Sequence, residues 1–180
     1  LLAWAASAAA VPIKGTIRFS GGVDSFDTTA NTVNVTNEQG IVSIPQPDGT
    51  FAIEGLTFGT LGDYNNFNYN QPITGGSINP LWSVTGTGGT FAFELTQVNF
   101  VDESIPGFLD LKGTGLMTFS AITSLNSYDP TTYLWRMSID TVNGNITFSS
   151  TNVPEPGVAL LIGIGLAGVV ASRRKTLKST

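Results

Sequence analysis

Cysteine and histidine are both absent from the 180 residues. Without cysteine the chain can form no disulfide, and it has no thiolate to act as a nucleophile or a metal ligand. Without histidine it lacks the usual general base and the commonest metal ligand. Ser-His-Asp triads, Cys-His pairs and zinc sites built on histidine are therefore excluded. We expect a non-enzymatic protein with no catalytic residues, no metal site and no cofactor.

Charge is also scarce, because Asp, Glu, Lys and Arg make up only 12% of the chain. Between residues 11 and 152 there are twelve acidic and four basic residues, a net charge of −8. An acidic domain repels the phosphate backbone, so nucleic acid is not an expected partner. The other four basic residues lie close together in the sequence: Arg173, Arg174, Lys175 and Lys178.

Apolar residues alternate with polar ones over most of residues 13–149, as they do in half-buried strands. About ten short strands separated by turns, with no helical period, predict an all-β domain at 11–152, an antiparallel β-sandwich or jelly roll with no helix longer than two turns. After the turn Pro47-Asp48-Gly49 we expect Phe51 and Ile53 to face inward. The residues expected to share one core are Ile17, Phe91, Phe93, Phe119 and Trp135.

Residues 157–171 form an uncharged run that follows a Pro-Glu-Pro and precedes the basic cluster Arg173-Arg174-Lys175. Fifteen helical residues span about 22 Å, against a bilayer core of about 30 Å, and local thinning can cover the difference. The basic cluster indicates the cytoplasmic end. The pattern predicts one transmembrane helix after the β domain, with residues 176–180 in the cytoplasm. A buried core helix is the alternative, but the chain offers no amphipathic partner helix.

The order of these parts resembles the PEP-CTERM sorting signal of Gram-negative bacteria, over residues 153–175. The residues that carry the resemblance are Val153-Pro154-Glu155-Pro156 and the basic cluster Arg173-Arg174-Lys175. Gly157 departs from the pattern, since many members carry Ser or Thr there. The resemblance implies an exosortase substrate, anchored transiently in the inner membrane and then delivered to the cell surface or the extracellular polysaccharide matrix. Exosortase is a membrane protease-transpeptidase.

Residues 1–10 begin with Leu and end in Ala8-Ala9-Ala10, a small-residue site typical of signal-peptide cleavage. We interpret them as the remnant of a signal peptide that is removed before Val11; a frayed Ala-rich helix is the alternative. The expected partners are then the Sec translocon, signal peptidase, exosortase and the lipid bilayer, with extracellular polysaccharide as a further candidate.

Four strand-like segments resemble the small all-β cargo domains that precede many PEP-CTERM tails. They lie at residues 80–84, 91–95, 108–115 and 133–138. Aromatic residues and paired glycines carry this likeness. It implies a fold and not an activity.

An Asn-rich stretch without periodicity contains Tyr64, Phe67 and Tyr69. Together with Trp82 these rings suggest a platform for stacking sugars, because aromatic rings suit flat apolar ligand faces. The alternatives are a loop without ligand and, for Trp82, a core position. The platform supports the second functional hypothesis, a secreted carbohydrate-binding or carbohydrate-active domain with the same tail.

Two groups of oxygen-bearing residues allow both a functional and a structural interpretation. Asp102, Glu103 and Asp110 offer the paired carboxylates of glycoside hydrolysis, but acids on a solvated strand face explain them equally well. A second group offers calcium ligands without the spacing of a calcium-binding loop. Its members are Asp24, Asp27, Asn31, Asn34 and Glu38.

Overall fold

The computed structural model describes residues 11–21, 25–35, 39–43, 46–73, 76–140 and 145–152. Within those ranges it contains thirteen strands and one short helix. The elements are β1 (Val11–Pro12), β2 (Thr16–Gly21), β3 (Ser25–Asp27), β4 (Thr32–Asn34), β5 (Gln39–Val42), α1 (Gly49–Ile53), β6 (Leu61–Tyr64), β7 (Phe67–Asn68), β8 (Ile78–Thr85), β9 (Gly89–Asp102), β10 (Phe108–Ala121), β11 (Tyr128–Asp129), β12 (Thr131–Asp140) and β13 (Asn145–Asn152).

Eight of these strands form one closed antiparallel barrel. They follow one another around it in chain order, β2-β5-β6-β8-β9-β10-β12-β13, and β13 closes the circle by pairing with β2. The β9–β10 ladder is long, from Asp102 opposite Asp110 to Gly89 opposite Ala121. Short ladders on the other side join β5 to β2 and β6. Closure pairs both edges of the sheet and so protects them.

The prediction of an all-β antiparallel domain is confirmed, whereas the sandwich or jelly-roll arrangement is wrong because one sheet closes on itself. The β9–β10 ladder shifts register next to Gly113 and Gly115. At Gly115 an added Cβ would collide with the Phe93 ring and the Glu94 backbone oxygen. Such irregularities bend and twist strands, which favours closure. Inward and outward residues alternate in sandwiches and barrels alike, so the sequence pattern does not separate them.

Four of the five predicted core residues, Ile17, Phe91, Phe93 and Trp135, are buried inside the barrel. The fifth, Phe119, is partly buried and packs on Phe91 with ring centroids 4.8 Å apart. The expected alternation therefore places the core correctly along the long strands.

Helix α1 corrects the expectation that both Phe51 and Ile53 face inward. Phe51 is buried, but Ile53 is 70% exposed. Residues two positions apart in the sequence lie on the same face of a strand. In a helix they lie on nearly opposite sides, because each residue turns by about 100°. Because α1 has only five residues, the expectation of no helix longer than two turns is confirmed for the described part of the chain.

We call the end of the barrel covered by α1 the α1 end. The Phe51 ring lies 4.7 Å from Phe91 and 6.0 Å from Tyr133, measured between ring centroids. β2 begins and β13 finishes here, since Thr16 pairs with Thr151. The opposite end, which we call the far end, carries the β9–β10 loop and the small sheet β3-β4-β7. The chain thus enters and leaves the barrel at the same end.

Among the described residues, no helix has the length and apolar character needed to cross a membrane. The predicted transmembrane helix at 157–171 lies outside these residues, as do residues 1–10 and 176–180.

Candidate functional site

The aromatic rings predicted to stack on sugars are part of the core. Tyr64 is 1% exposed, Phe67 5%, Tyr69 2% and Trp82 0%. Phe67 packs edge-on against Trp135, with centroids 5.8 Å apart. Rings buried in this way present no face to a ligand, so the predicted glycan platform of Tyr64, Phe67 and Tyr69 is wrong.

The asparagines between these rings explain the misinterpretation. The Asn65 side-chain amide donates to the Pro80 carbonyl oxygen at 2.8 Å. The Asn66 side-chain oxygen accepts the Val35 backbone N–H at 2.6 Å. Asparagine is common in loops, but here two asparagine side chains form hydrogen bonds with the backbone around a segment of the core. The apolar residues at 64, 67 and 69 are the signal that could have indicated burial.

Tyr69 connects the core to the far end of the barrel. Its hydroxyl donates to Glu103 Oε1 at 2.7 Å. Burial raises the pKa of Tyr69 above its ordinary value, and the hydrogen bond and charge of Glu103 raise it further. Glu103, one of the three candidate catalytic carboxylates, therefore accepts a hydrogen bond from a buried tyrosine.

The structure brings Asp102 and Asp110 together as cross-strand partners. Asp110 is buried, and its two oxygens accept from Arg136 Nε at 2.9 Å and Nη2 at 3.0 Å, while Ser138 Oγ donates at 2.9 Å. The hydrogen bonds from Ser104 lower the pKa of Asp102. A general acid for glycoside hydrolysis needs a raised pKa. These contacts give the carboxylates structural roles.

Of the calcium candidates that the structure describes, Asp27 and Asn31 lie at the turn between β3 and β4, and Asn34 is the last residue of β4. Asp27 Oδ1 accepts the backbone N–H groups of Thr29 at 2.7 Å and Ala30 at 3.0 Å. The Asn31 side-chain amide donates to Asn70 Oδ1 at 2.7 Å. Asp24 and Glu38 lie outside the described residues. In the described ranges, no three Asp or Glu side chains are grouped so that they could hold a metal ion.

Glu54, which the sequence analysis did not single out, is the most enclosed glutamate that the structure describes, at 2% exposure. Its Oε1 accepts from the Tyr128 hydroxyl at 2.6 Å and the Asn126 amide at 2.7 Å. Burial by itself raises the pKa of Glu54, but hydrogen bonds from Tyr128, Asn126 and Ser124 outweigh it and lower that pKa. Burial and the bond to Glu54 raise the pKa of Tyr128 to about 12.

Backbone hydrogen bonds join Glu54 to two more segments of the α1 end. The Gly88 N–H donates to the Glu54 carbonyl at 3.0 Å. The Gly88 carbonyl in turn accepts the N–H groups of Ile122, Thr123 and Ser124, at 2.9 to 3.1 Å. A Cβ at Gly88 would collide with the Glu54 carboxylate. The end of α1, the β8–β9 turn and the connection after β10 therefore form one braced unit.

Two open grooves lie on the described surface. One, of about 490 Å³, is at the far end beside Phe26, Glu103 and Phe108. The other, of about 560 Å³, lies between Ile73 and Val98. Glu103 is the only charged residue that lines either groove, and it accepts a hydrogen bond from Tyr69. Neither groove gathers a set of acid, base and nucleophile among its lining residues.

The sorting residues Val153-Pro154-Glu155-Pro156 and Arg173-Arg174-Lys175 lie outside the described residues. Comparison with protein-family models matches the PEP-CTERM protein-sorting motif at residues 152–175. The chain carries a PEP-CTERM sorting motif. Neither the curated proteins nor the solved structures contain a match to this chain.

The match confirms the resemblance drawn from the sequence and covers all three of its parts: the Pro-Glu-Pro, the uncharged run and the basic cluster. A PEP-CTERM motif implies sorting through an exosortase system, with export and processing at a membrane. The motif begins at Asn152, the last residue of β13, so it follows the barrel directly at the α1 end.

Proposed function

We propose that this protein is a non-enzymatic cargo that an exosortase-type membrane protease processes at its tail. Export through the Sec translocon and removal of residues 1–10 by signal peptidase precede that step. The uncharged run holds the precursor in the inner membrane until processing frees the barrel for the cell surface or the extracellular polysaccharide matrix. The observation that carries the proposal is the PEP-CTERM motif attached directly to a closed barrel.

The residue types in the tail suit recognition by a membrane enzyme. Pro154 and Pro156 restrict the backbone to extended conformations, which fit a protease cleft. Glu155 lies between them and is the only acidic residue after residue 152. The run that follows contains several glycines, which form helices poorly and allow close approach between helices. A segment of this kind is suited to docking on a membrane protein and to being removed afterwards.

In this proposal the barrel is the domain that is exported, and the tail is the part that is processed. Three of the barrel's acidic side chains are hydrogen bonded to its other side chains. Asp110 accepts from Arg136, Glu54 accepts from Tyr128, and Glu103 accepts from Tyr69. These contacts support a non-enzymatic role. We do not propose carbohydrate binding, because the rings that would stack on a sugar are buried.

Substitution of Glu155 tests the proposal in the native host. Glu155→Ala should leave the full-length precursor in the inner-membrane fraction, whereas the wild type is processed and leaves that fraction. Asp63→Ala is the matched control, since it removes an exposed carboxylate from the barrel. If Glu155→Ala is processed and released as the wild type is, Glu155 is not part of the recognised motif and the proposal is wrong.

A further inference from the structure

Half of the large hydrophobic side chains that are exposed in the described ranges lie at the α1 end. We call these five residues the apolar rim. Leu125 is fully exposed, and the other four are 52 to 70% exposed. Of the remaining five, four lie on the strands of the barrel wall and one, Ile105, lies at the far end. The rim consists of Val11, Ile53, Phe58, Ile122 and Leu125.

The rim residues are held at one end of the barrel by the contacts described above. Ile53 is the last residue of α1. Ile122 and Leu125 belong to the connection after β10, which is hydrogen bonded to the β8–β9 turn and to Glu54. Val11 pairs with Tyr128 in the β1–β11 ladder. The loop that contains Phe58 is fixed by the Gly59 N–H, which donates to the Val42 carbonyl.

Charge does not distinguish the two ends of the barrel. The α1 end carries the exposed acids Asp48 and Asp129 together with Lys14. At the far end the hydrogen bonds from Ser104 lower the pKa of Asp102, and Lys112 lies close enough to lower it further. The exposed apolar side chains are therefore what suits the α1 end to the boundary between lipid headgroups and acyl chains.

The length of chain after β13 determines which end can reach a membrane. Four residues, 153–156, separate Asn152 from the uncharged run. From Asn152 to Gly157 the backbone can span at most about 17 Å. A ten-residue strand such as β12 extends about 33 Å and, at the usual tilt, covers about 25 Å of barrel height. When residues 157–171 lie in the bilayer, the α1 end is within reach of the headgroups and the far end is not.

We propose that the apolar rim is a membrane-docking surface that inserts into the lipid bilayer while the tail anchors the precursor. The proposal rests on the proposed function, because the tail must enter the membrane for the rim to reach it. Five side chains bind a bilayer weakly by themselves, but a tether of four residues gives them a high effective concentration at its surface. Docking would hold Pro154-Glu155-Pro156 at the membrane surface, where an embedded protease can reach them. Removal of the tail then releases the barrel.

The absence of cysteine makes the proposal testable on the full-length protein, because single cysteines can be introduced and labelled. A polarity-sensitive fluorophore is attached in turn to Leu125→Cys, Ile105→Cys and Leu160→Cys. Leu125 and Ile105 are exposed residues at opposite ends of the barrel, so Ile105 is the matched control. Each protein is reconstituted into phosphatidylcholine vesicles that contain nitroxide-labelled lipid as a quencher.

We expect strong quenching at position 160, and quenching at position 125 that is several-fold greater than at position 105. Quenching at 160 with equal, weak signals at 125 and 105 would overturn the docking surface and leave the anchor intact. No quenching at 160 would refute the anchor, and the docking proposal would fail with it. The two failures are therefore distinguishable.

A second variant tests whether the rim itself causes the contact. Ile53→Asp combined with Ile122→Asp adds two charges to the apolar rim of the protein labelled at Leu125→Cys, at exposed positions where substitution has little effect on folding. Quenching at 125 should fall to the level seen at 105, while quenching at 160 persists. Unchanged quenching at 125 would contradict the proposal.

Discussion

In the barrel, the two buried carboxylates have partners within the molecule, whereas in the tail the charged residues flank an uncharged run. Asp110 is held by Arg136 and Ser138, and Glu54 by Tyr128. In the tail, Glu155 precedes the fifteen uncharged residues and the basic cluster follows them. The first pattern stabilises a fold, and the second is a signal for a membrane and an enzyme. Substitutions in the barrel should therefore alter stability without altering processing, and substitutions in the tail should do the reverse.

Trp135→Ala should cause the largest loss of stability. The side chain is 2% exposed and packs on Phe67, and truncating a buried Trp costs about 3–5 kcal/mol through lost transfer energy and a cavity. That is much of a typical domain's stability of about 5–15 kcal/mol. Urea unfolding of the purified wild type and Trp135→Ala measures this loss of stability. An unchanged unfolding midpoint would contradict the assigned core.

Trp135→Phe is the matched control for this prediction. The indole N–H has no hydrogen-bond partner among the described residues, so its removal leaves no lost bond. We expect a cost of about 1–2 kcal/mol from the smaller ring alone. A loss as large as that of Trp135→Ala would show that the indole nitrogen has a partner after all.

Arg136→Ala should destabilise the barrel by a smaller amount. Loss of a partner of a buried carboxylate costs about 3–5 kcal/mol, but the Arg136 side chain is 56% exposed and solvent screens it. Ser138 remains hydrogen bonded to Asp110, and Lys112 Nζ lies 3.9 Å from Asp110 Oδ2. We therefore expect about 1–2 kcal/mol by urea unfolding. Arg18→Ala on an exposed position of β2 is the control and should cost less than about 0.5 kcal/mol.

Glu54→Gln should cost about 1 kcal/mol at neutral pH, because a hydrogen bond to a charged acceptor becomes a neutral one. The pKa of Glu54 is lowered from its ordinary 4.5, so the unfolded state binds more protons below that pH. Stability from this group is present above about pH 5 and is lost as pH falls through the folded pKa.

The melting temperature measured against pH tests this assignment. The acid-induced drop below pH 4.5 should be smaller in Glu54→Gln than in the wild type. At the alkaline side, the Tyr128 pKa is raised from 10.0 to about 12, so stability from Tyr128 is present below pH 10 and is lost as pH rises toward 12. Identical acid limbs in the two proteins would mean that Glu54 is not held by these bonds.

Glu155→Ala should have the smallest effect on stability, within about 0.5 kcal/mol, although we expect it to abolish processing. Thermal unfolding of the precursor in detergent, compared with the wild-type precursor, measures it. A melting temperature lowered as much as in Arg136→Ala would mean that Glu155 contacts the barrel, and the separation between a stabilising and a signalling region would fail.

Local patterns in the sequence predict the strands, most of the core and the sorting motif. Alternation at residues 133–139 places Trp135 inward, and the order of its three parts identifies the sorting motif. What the sequence did not predict depends on distant pairing. The barrel closes through β13 and β2, which are more than a hundred residues apart, and Glu54 meets Tyr128 across 74 residues. The asparagines between Tyr64 and Tyr69 are typical of a surface loop, so the local pattern does not predict that these two rings are buried.

Intact mass and terminal-peptide analysis of the protein from its native host tests the central claim most directly. We expect the processed wild-type protein to lack Arg173-Arg174-Lys175 and to end before residue 157, whereas Glu155→Ala should retain the whole tail. A wild-type protein that keeps this basic cluster and fractionates with the inner membrane would contradict the account and would be a permanently anchored surface protein.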